Sequence, residues 1–130
     1  MAHLALSAGR TIALTGADHP VFVNGNAAAI EDALRNLIEN ALVHTASGTE
    51  VVVEVDSAGA IGVQDSGPGI PAEDRPHIFE RFWRGKGVRT GGAGLGLAIV
   101  MEIVRAHGAG ITVSDRAPRG ACFDLRFRAA

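Results

Sequence analysis

The apolar residues of this chain recur with two different periods, and their succession predicts a mixed α/β fold. Short apolar runs at residues 11–15 and 20–23, separated by a Gly-Ala-Asp turn, favour two strands. From Asn26 to about His44 the apolar spacing becomes three and four, which is typical of a helix. Asn26 is expected to cap this helix, with Glu31 and Asp32 near its positive end.

The second half of the chain repeats the alternation of strands and a helix. Residues 51–55 and 61–65 read as a strand pair joined by a turn at 57–59. A helix from about Leu97 stops near Gly108, and two strands follow at residues 111–114 and 121–127. Two helices on one side of a mixed sheet make a two-layer α/β sandwich.

Composition and charge narrow the class of protein. A chain of 130 residues with 47% apolar and 20% charged residues forms one globular domain, spanning residues 1–130. A net charge of −2 argues against a general nucleic-acid binder. The single Cys122 excludes an internal disulfide and a cysteine-based zinc site. Without a long apolar run or a signal-peptide pattern, we expect a cytoplasmic domain, although its parent protein can be a membrane protein.

A glycine-dense loop leads directly into the second predicted helix. Its glycines at 91, 92, 94 and 96 would let backbone N–H groups approach a charged ligand, and the helix start would favour an anion. A P-loop is excluded, because Leu97 and Ala98 stand where Lys-Ser or Lys-Thr is required. A dinucleotide-binding fold is set aside as well, because it would place such glycines after an early strand, whereas here they come late in the chain. The loop therefore indicates a phosphate cradle, with a plain connection as the alternative.

The first predicted helix carries a polar row along the rim of its apolar face. The row consists of Asp32, Asn36, Asn40 and His44, spaced four residues apart. Asparagine is unfavourable inside helices, so two in one row call for a reason. A solvated helix edge is one explanation. The other is that the amide oxygen of Asn40 binds a hard cation such as Mg²⁺.

Two further stretches suggest ligand contacts. Asp65 ends a predicted strand beside Gly67 and Gly69, where it is either a turn former or an acceptor for a nucleobase amino group. Residues 81–92 contain four cations and no acid, which suits a polyphosphate or a solvated charge run. The aromatic residues at 79–83 are expected to tether this stretch, leaving residues 85–92 as a mobile lid.

Taken together, these motifs resemble the catalytic ATP-binding domain of two-component sensor histidine kinases, in the GHKL superfamily. Residues 34–41 resemble the N box of that family, 65–70 its first glycine box and 78–82 its F box. Residues 92–100 resemble the second glycine box, and 120–123 a degenerate version of the last. The resemblance implies a Bergerat-type fold, in which helices cover one face of a mixed, mostly antiparallel sheet.

The resemblance also implies roles for individual residues, with ATP and Mg²⁺ as ligands. Asn40 would bind the Mg²⁺ that bridges the phosphates, Asn36 would line the same site, and Asp65 would hold the adenine amino group. Arg84 or Arg89 would reach the phosphates from the lid. The remaining implied ATP-contacting residues are Gly67, Gly69, Ile70, Gly92, Gly94, Leu95, Gly96 and Leu97.

One departure from the family concerns the residues that follow the N box. Where the family often has lysine and an aromatic residue, this chain has Val43 and His44. A phosphate-contacting cation is thereby lost, while the His44 ring can still stack on adenine. The lid cations would then carry more of the charge compensation.

The activity implied by the resemblance is transfer of the γ-phosphoryl group of ATP to a histidine on a separate dimerisation domain, with a response regulator downstream. No histidine of this chain is followed by the acidic residue typical of phosphoacceptor motifs. We therefore expect a fragment of a larger kinase, lacking the phosphoacceptor and sensor domains, that is monomeric in isolation and does not label itself.

Three other functions remain open from the residues alone. An ATP-hydrolysing GHKL machine would need a glutamate general base four residues before the metal ligand, where Asn36 stands. A serine-kinase anti-sigma factor would usually lack so clear an F box. A degenerate domain could bind nucleotide, or only a partner, as a scaffold. A nucleotide-binding titration with and without Mg²⁺ is the most informative experiment for choosing among these functions.

Overall fold

Five strands and two helices make up the described part of the chain. The computed structural model describes residues 11–16, 22–44, 50–56, 58–81, 83 and 95–128. In chain order the elements are β1 (Thr11–Gly16), α1 (Ala27–His44), β2 (Glu50–Val55), β3 (Ala60–Gln64), α2 (Gly96–His107), β4 (Gly110–Asp115) and β5 (Ala121–Arg126).

The strands form one sheet in the order β1-β2-β3-β5-β4. β1 and β2 pair in parallel, whereas the three other neighbouring pairs are antiparallel. The sheet is therefore mixed and mostly antiparallel, as predicted.

The hydrophobic core lies between one face of this sheet and the two helices. Strand pairing aligns Val53, Val63, Phe123 and Val113 in one row across β2, β3, β5 and β4. The helices, which pack on each other, meet the sheet with buried residues Leu37, Ile38, Ala41, Val100 and Val104. The predicted two-layer sandwich is confirmed. Neither described helix has the length and apolar content that a membrane span needs.

The start of α1 confirms one expectation and corrects another. Asn26 caps the helix, because its Oδ1 accepts a hydrogen bond from the Ala29 N–H at 2.9 Å. Glu31 and Asp32, expected at the positive end, do not lie in the first turn, which contains no acid. With the helix beginning at Ala27, both belong to the second turn.

The strand predicted over residues 20–23 is wrong for the part that the structure describes. Phe22 is 73% exposed and in no strand, and Val23 makes only a single bridge. The Asn24 N–H donates to the carbonyl oxygen of Arg128 at 2.8 Å, so this segment is tied to the chain beyond β5. Residues 20 and 21 lie outside the described residues.

The hairpin between β2 and β3 was predicted and is confirmed. Oδ1 of Asp56 accepts hydrogen bonds from the N–H groups of Ala58 and Ala60 at 2.9 and 3.0 Å. The bond from Ala60 is the main cause that lowers the pKa of Asp56. Gly59 takes a φ of +91° in this turn, a conformation that glycine adopts at little cost.

The aromatic tether is confirmed for two of its residues. Phe79 packs edge-on against Phe123 of β5, with ring centroids 6.4 Å apart, and Trp83 also packs against the core. Ile78 beside them is buried. Phe82 lies outside the described residues. The chain is thus anchored to the core up to the point where the predicted lid begins.

Cys122 lies on the sheet face opposite the helices, and its surroundings predict an unreactive thiol. Burial, followed by the neighbouring Asp124 carboxylate, raises the pKa of Cys122 to about 11. Because the thiolate is the nucleophile, alkylation by iodoacetamide at pH 8 should be about a hundredfold slower than for a free cysteine. Mass spectrometry of timed samples measures this rate. Denaturation in urea should restore ordinary reactivity, and equal rates in the folded and unfolded chain would contradict the assignment.

Candidate functional site

Asp65 is a buried carboxylate placed just beyond the end of β3. It is 4% exposed, and its N–H donates to the carbonyl oxygen of Ala121 at 2.9 Å, continuing the pairing of β3 with β5. Its Oδ1 accepts hydrogen bonds from the N–H groups of Gly67, at 2.9 Å, and Ala121, at 3.3 Å. Among the described residues no hydrogen bond reaches Oδ2. One carboxylate oxygen is therefore held by the backbone, and the other can accept a bond from a ligand.

A second turn, at residues 116–120 between β4 and β5, lies directly against the turn that follows Asp65. Gly120 has a φ of +120°, and a Cβ there would overlap the carbonyl oxygen of Asp65. Gly69 has a φ of +81°, and a Cβ on it would lie 3.4 Å from the Gly120 carbonyl oxygen. This backbone contact needs glycine at position 120.

Arg119 joins the two turns through its side chain. Its Nε–H donates to the carbonyl oxygen of Gly67 at 3.0 Å. On the other side, the half-buried Ile70 packs against the core, and its carbonyl oxygen accepts a bond from Nε of Arg75 at 3.3 Å. Side chains from the turn before β5 and from the segment after Gly69 thus fix the loop that carries Asp65.

Asn36, within the polar row on α1, faces the start of α2. Asp32, Asn36 and Asn40 are all half-buried, as expected at the rim of an apolar face. Nδ2 of Asn36 donates to the carbonyl oxygen of Asp32 at 2.9 Å, and its Oδ1 lies 3.2 Å from where a Cβ of Gly96 would stand. Asn36 therefore packs against the first residue of α2, where any side chain would crowd its amide.

The two helices run antiparallel, which places Asn40 beyond the start of α2. The Asn26 N–H, at the beginning of α1, donates to Nε2 of His107 at the end of α2 at 3.1 Å. Asn40 lies one turn further along α1 than Asn36, or about 6 Å. It is thus positioned next to the space into which the N-terminal N–H groups of α2 point.

The N-terminus of α2 suits an anion. Leu95 occupies the N-cap. Its side chain has no hydrogen-bond acceptor, so no side-chain cap is formed. The first turn contains no acidic residue. The N–H groups of this turn and the positive end of the helix dipole thus favour a phosphate there. Leu97, predicted as a ligand contact, is partly buried against the core.

Several predicted site residues fall outside the described part of the chain. These are Arg84, Arg89, Gly92 and Gly94, together with the side chain of His44, whose backbone ends α1. Among the described residues, one group consists of Asp65, Gly67 and Gly69. A second group consists of Asn36, Leu95 and Gly96, and Asn40 lies one helical turn from it. α1 packs against β3, the strand that leads to Asp65, and so connects the two places.

Two residues at this site were not predicted from the sequence. Arg119 was given no role, and Gly120 was noted only as part of a degenerate glycine box. Gly120 could have been found from the box itself. Arg119 could not, because its partner Gly67 lies 52 positions away in the chain.

Comparison with known proteins identifies relatives of this chain. The family model described as histidine kinase-, DNA gyrase B- and HSP90-like ATPase matches residues 25–130. The probable sensor histidine kinase TcrY of Mycobacterium tuberculosis is 40% identical over 130 residues, covering 88% of this chain and 27% of TcrY. The chain thus spans about a quarter of the length of that relative.

Solved structures show the same fold. A mycobacterial sensor histidine kinase, MprB, superposes with a TM-score of 0.78 at 31% identity, over 94% of this chain and 85% of the MprB chain. Full-length ShkA in complex with AMPPNP superposes with a TM-score of 0.74 at 30% identity, over 100% of this chain and 28% of ShkA. Since the family model covers well over half of its residues, the chain belongs to the histidine kinase-, DNA gyrase B- and HSP90-like ATPases and, among them, to the catalytic domains of sensor histidine kinases.

Proposed function

We propose that this domain binds Mg-ATP and donates the γ-phosphoryl group to a histidine on a separate helical dimerisation domain, in two-component signalling. The observation that carries the proposal is the buried carboxylate of Asp65, with Oδ1 held by two backbone N–H groups. Its Oδ2 accepts no hydrogen bond from a described residue, and a nucleobase amino group can donate one to it.

Base recognition follows from the chemistry of the ring edges. Adenine presents an amino donor where guanine presents a carbonyl oxygen, so Oδ2 of Asp65 would attract the first and repel the second. Gly69 and Gly120, which add no side chains of their own, bring the backbones of the two turns close together beside Asp65. The site therefore favours adenine nucleotides.

The phosphates would lie at the N-terminus of α2, which has no acid in its first turn. We assign the N–H groups from Leu95 onward, with Gly92 and Gly94 before them, to the phosphate oxygens. Arg84 and Arg89 of the lid would neutralise the remaining charge, and His44 would flank the base. The AMPPNP complex of the similar ShkA supports a triphosphate ligand.

Mg²⁺ fits the donor set near Asn40. No group of three or more His, Cys, Asp or Glu side chains among the residues described could hold a metal ion. A cation here would thus take its oxygens from the ATP phosphates, from Asn40 and from water, with Asn36 lining the same site. Mg²⁺ prefers such oxygen sets, and when bound it offsets phosphate charge.

For the transfer itself the chain supplies positioning and charge compensation, which are the main requirements of phosphoryl transfer. Position 36 carries an amide, which cannot take a proton from water at neutral pH. This favours a histidine acceptor over hydrolysis. A response regulator would then receive the group from the histidine.

Isothermal titration calorimetry with ATP, with and without Mg²⁺, tests the proposal. We expect saturable binding that tightens when Mg²⁺ is present, and weaker binding of GTP under the same conditions. A folded protein that binds neither nucleotide would contradict the proposal and favour a scaffold.

A further inference from the structure

We propose that Arg119 is a positioning residue for the nucleobase, acting through Gly67 on the carboxylate of Asp65. This inference rests on the proposed recognition of adenine by Asp65. Among the described residues, Arg119 makes the one side-chain hydrogen bond recorded between the two turns, from its Nε–H to the Gly67 carbonyl oxygen at 3.0 Å. Its role is distinct from contact with the ligand.

The geometry connects Arg119 to the base acceptor in two steps. Gly67 uses its carbonyl oxygen to accept the Arg119 bond and its N–H to donate to Oδ1 of Asp65 at 2.9 Å. Fixing the carbonyl of a residue restricts rotation of its backbone, which matters most for glycine because it has the widest choice of conformations. Arg119 therefore keeps the Gly67 N–H directed at Oδ1.

The consequence for binding is a preorganised acceptor. With Oδ1 held by Gly67 and Ala121, the carboxylate keeps a fixed rotation, so that Oδ2 is presented to the ligand. If the Gly67 backbone turned away, Oδ1 would keep only the longer bond from Ala121, at 3.3 Å, and the carboxylate could rotate. Part of the ATP binding energy would then be spent on ordering the loop.

A competing explanation is that Arg119 simply attracts the phosphates by its charge. Arg116 lies in the same turn and provides the matched control, since the bond it makes to Gly120 is formed by its backbone N–H. Arg116→Ala and Arg119→Ala remove the same charge, but only Arg119→Ala removes the bond to Gly67.

The test is a double-mutant cycle measured as ATP affinity by calorimetry. Arg119→Ala should weaken binding about threefold to tenfold, as expected for one partly exposed hydrogen bond, and Arg116→Ala by less than about twofold. When Asp65 is already asparagine, Arg119→Ala should cause no further loss, because the acceptor it positions is gone. If Arg119→Ala fails to fold by circular dichroism, Arg119→Met, which has a side chain of similar length but no N–H donor, replaces it.

The outcomes separate this inference from the function it rests on. Equal losses from the two arginine variants, or the same loss from Arg119→Ala with and without Asp65, would overturn the positioning role. A loss on Asp65→Asn without any loss on Arg119→Ala would overturn it as well, while leaving adenine recognition intact. Unchanged affinity of Asp65→Asn would instead remove adenine recognition, and this inference with it.

Discussion

Asp65→Asn is expected to lower the affinity for ATP about tenfold to a hundredfold, which corresponds to roughly 1.5 to 3 kcal/mol for a hydrogen bond to a charged group. The asparagine can keep Oδ1 as acceptor for the N–H groups of Gly67 and Ala121, so the fold should survive. Its Nδ2 would replace the acceptor Oδ2 by a donor, which opposes the adenine amino group. Asp65→Ala should lose as much affinity and also leave two buried N–H groups without their acceptor.

Calorimetric titration with Mg-ATP measures the effect, and thermal unfolding checks the fold. Asp124→Asn is the matched control, because Asp124 is a half-buried acid on the opposite face of the sheet and its loss changes the net charge equally. Wild-type ATP affinity in a folded Asp65→Asn variant would refute the adenine assignment.

Asn40→Ala is expected to weaken ATP binding about tenfold or more when Mg²⁺ is present, with a much smaller effect when it is absent. The reason is that the lost amide oxygen serves the cation and makes no contact with the base. Paired titrations in Mg²⁺ and in EDTA give the two affinities.

Glu39→Ala controls for damage to α1, since Glu39 is the neighbouring residue on the exposed side of that helix. It should leave both affinities near wild type. Equal losses with and without Mg²⁺ in Asn40→Ala would point to a disturbed helix and count against a role in metal binding.

The elements, and the position of Asp65 just beyond a strand, could be predicted from sequence because they depend on local patterns. The spacing of Leu37, Ile38 and Ala41 marks the buried face of α1. The alternation of Phe123 and Leu125, continued by Phe127 just past the strand end, marks that of β5. Asp65 stands out for the same reason, as an acid at a strand end beside glycines.

The features that escaped prediction depend on contacts between distant parts of the chain. The bond from Arg119 to Gly67 and the packing of Gly120 on Asp65 exist only once β5 pairs with β3. The strand predicted at residues 20–23, which is wrong at Phe22 and Val23, has a similar cause, since Asn24 bonds to Arg128 at the other end of the chain. The roles of Arg84, Arg89, Gly92 and Gly94 stay predictions, as these residues lie outside the described part of the chain.

Phosphotransfer in trans tests the central claim most directly. The chain is incubated with ATP labelled in its γ-phosphate, alone and together with the histidine-bearing helical domain of its parent protein. Alone it should neither label itself nor hydrolyse ATP above background, because it has no phosphoacceptor motif and Asn36 stands where hydrolases need a base. With the helical domain present, label should appear on that domain, slowly because the tether is absent, and should be acid-labile and base-stable. Brisk hydrolysis by the chain alone, or acid-stable label on a serine of an added partner, would contradict the account.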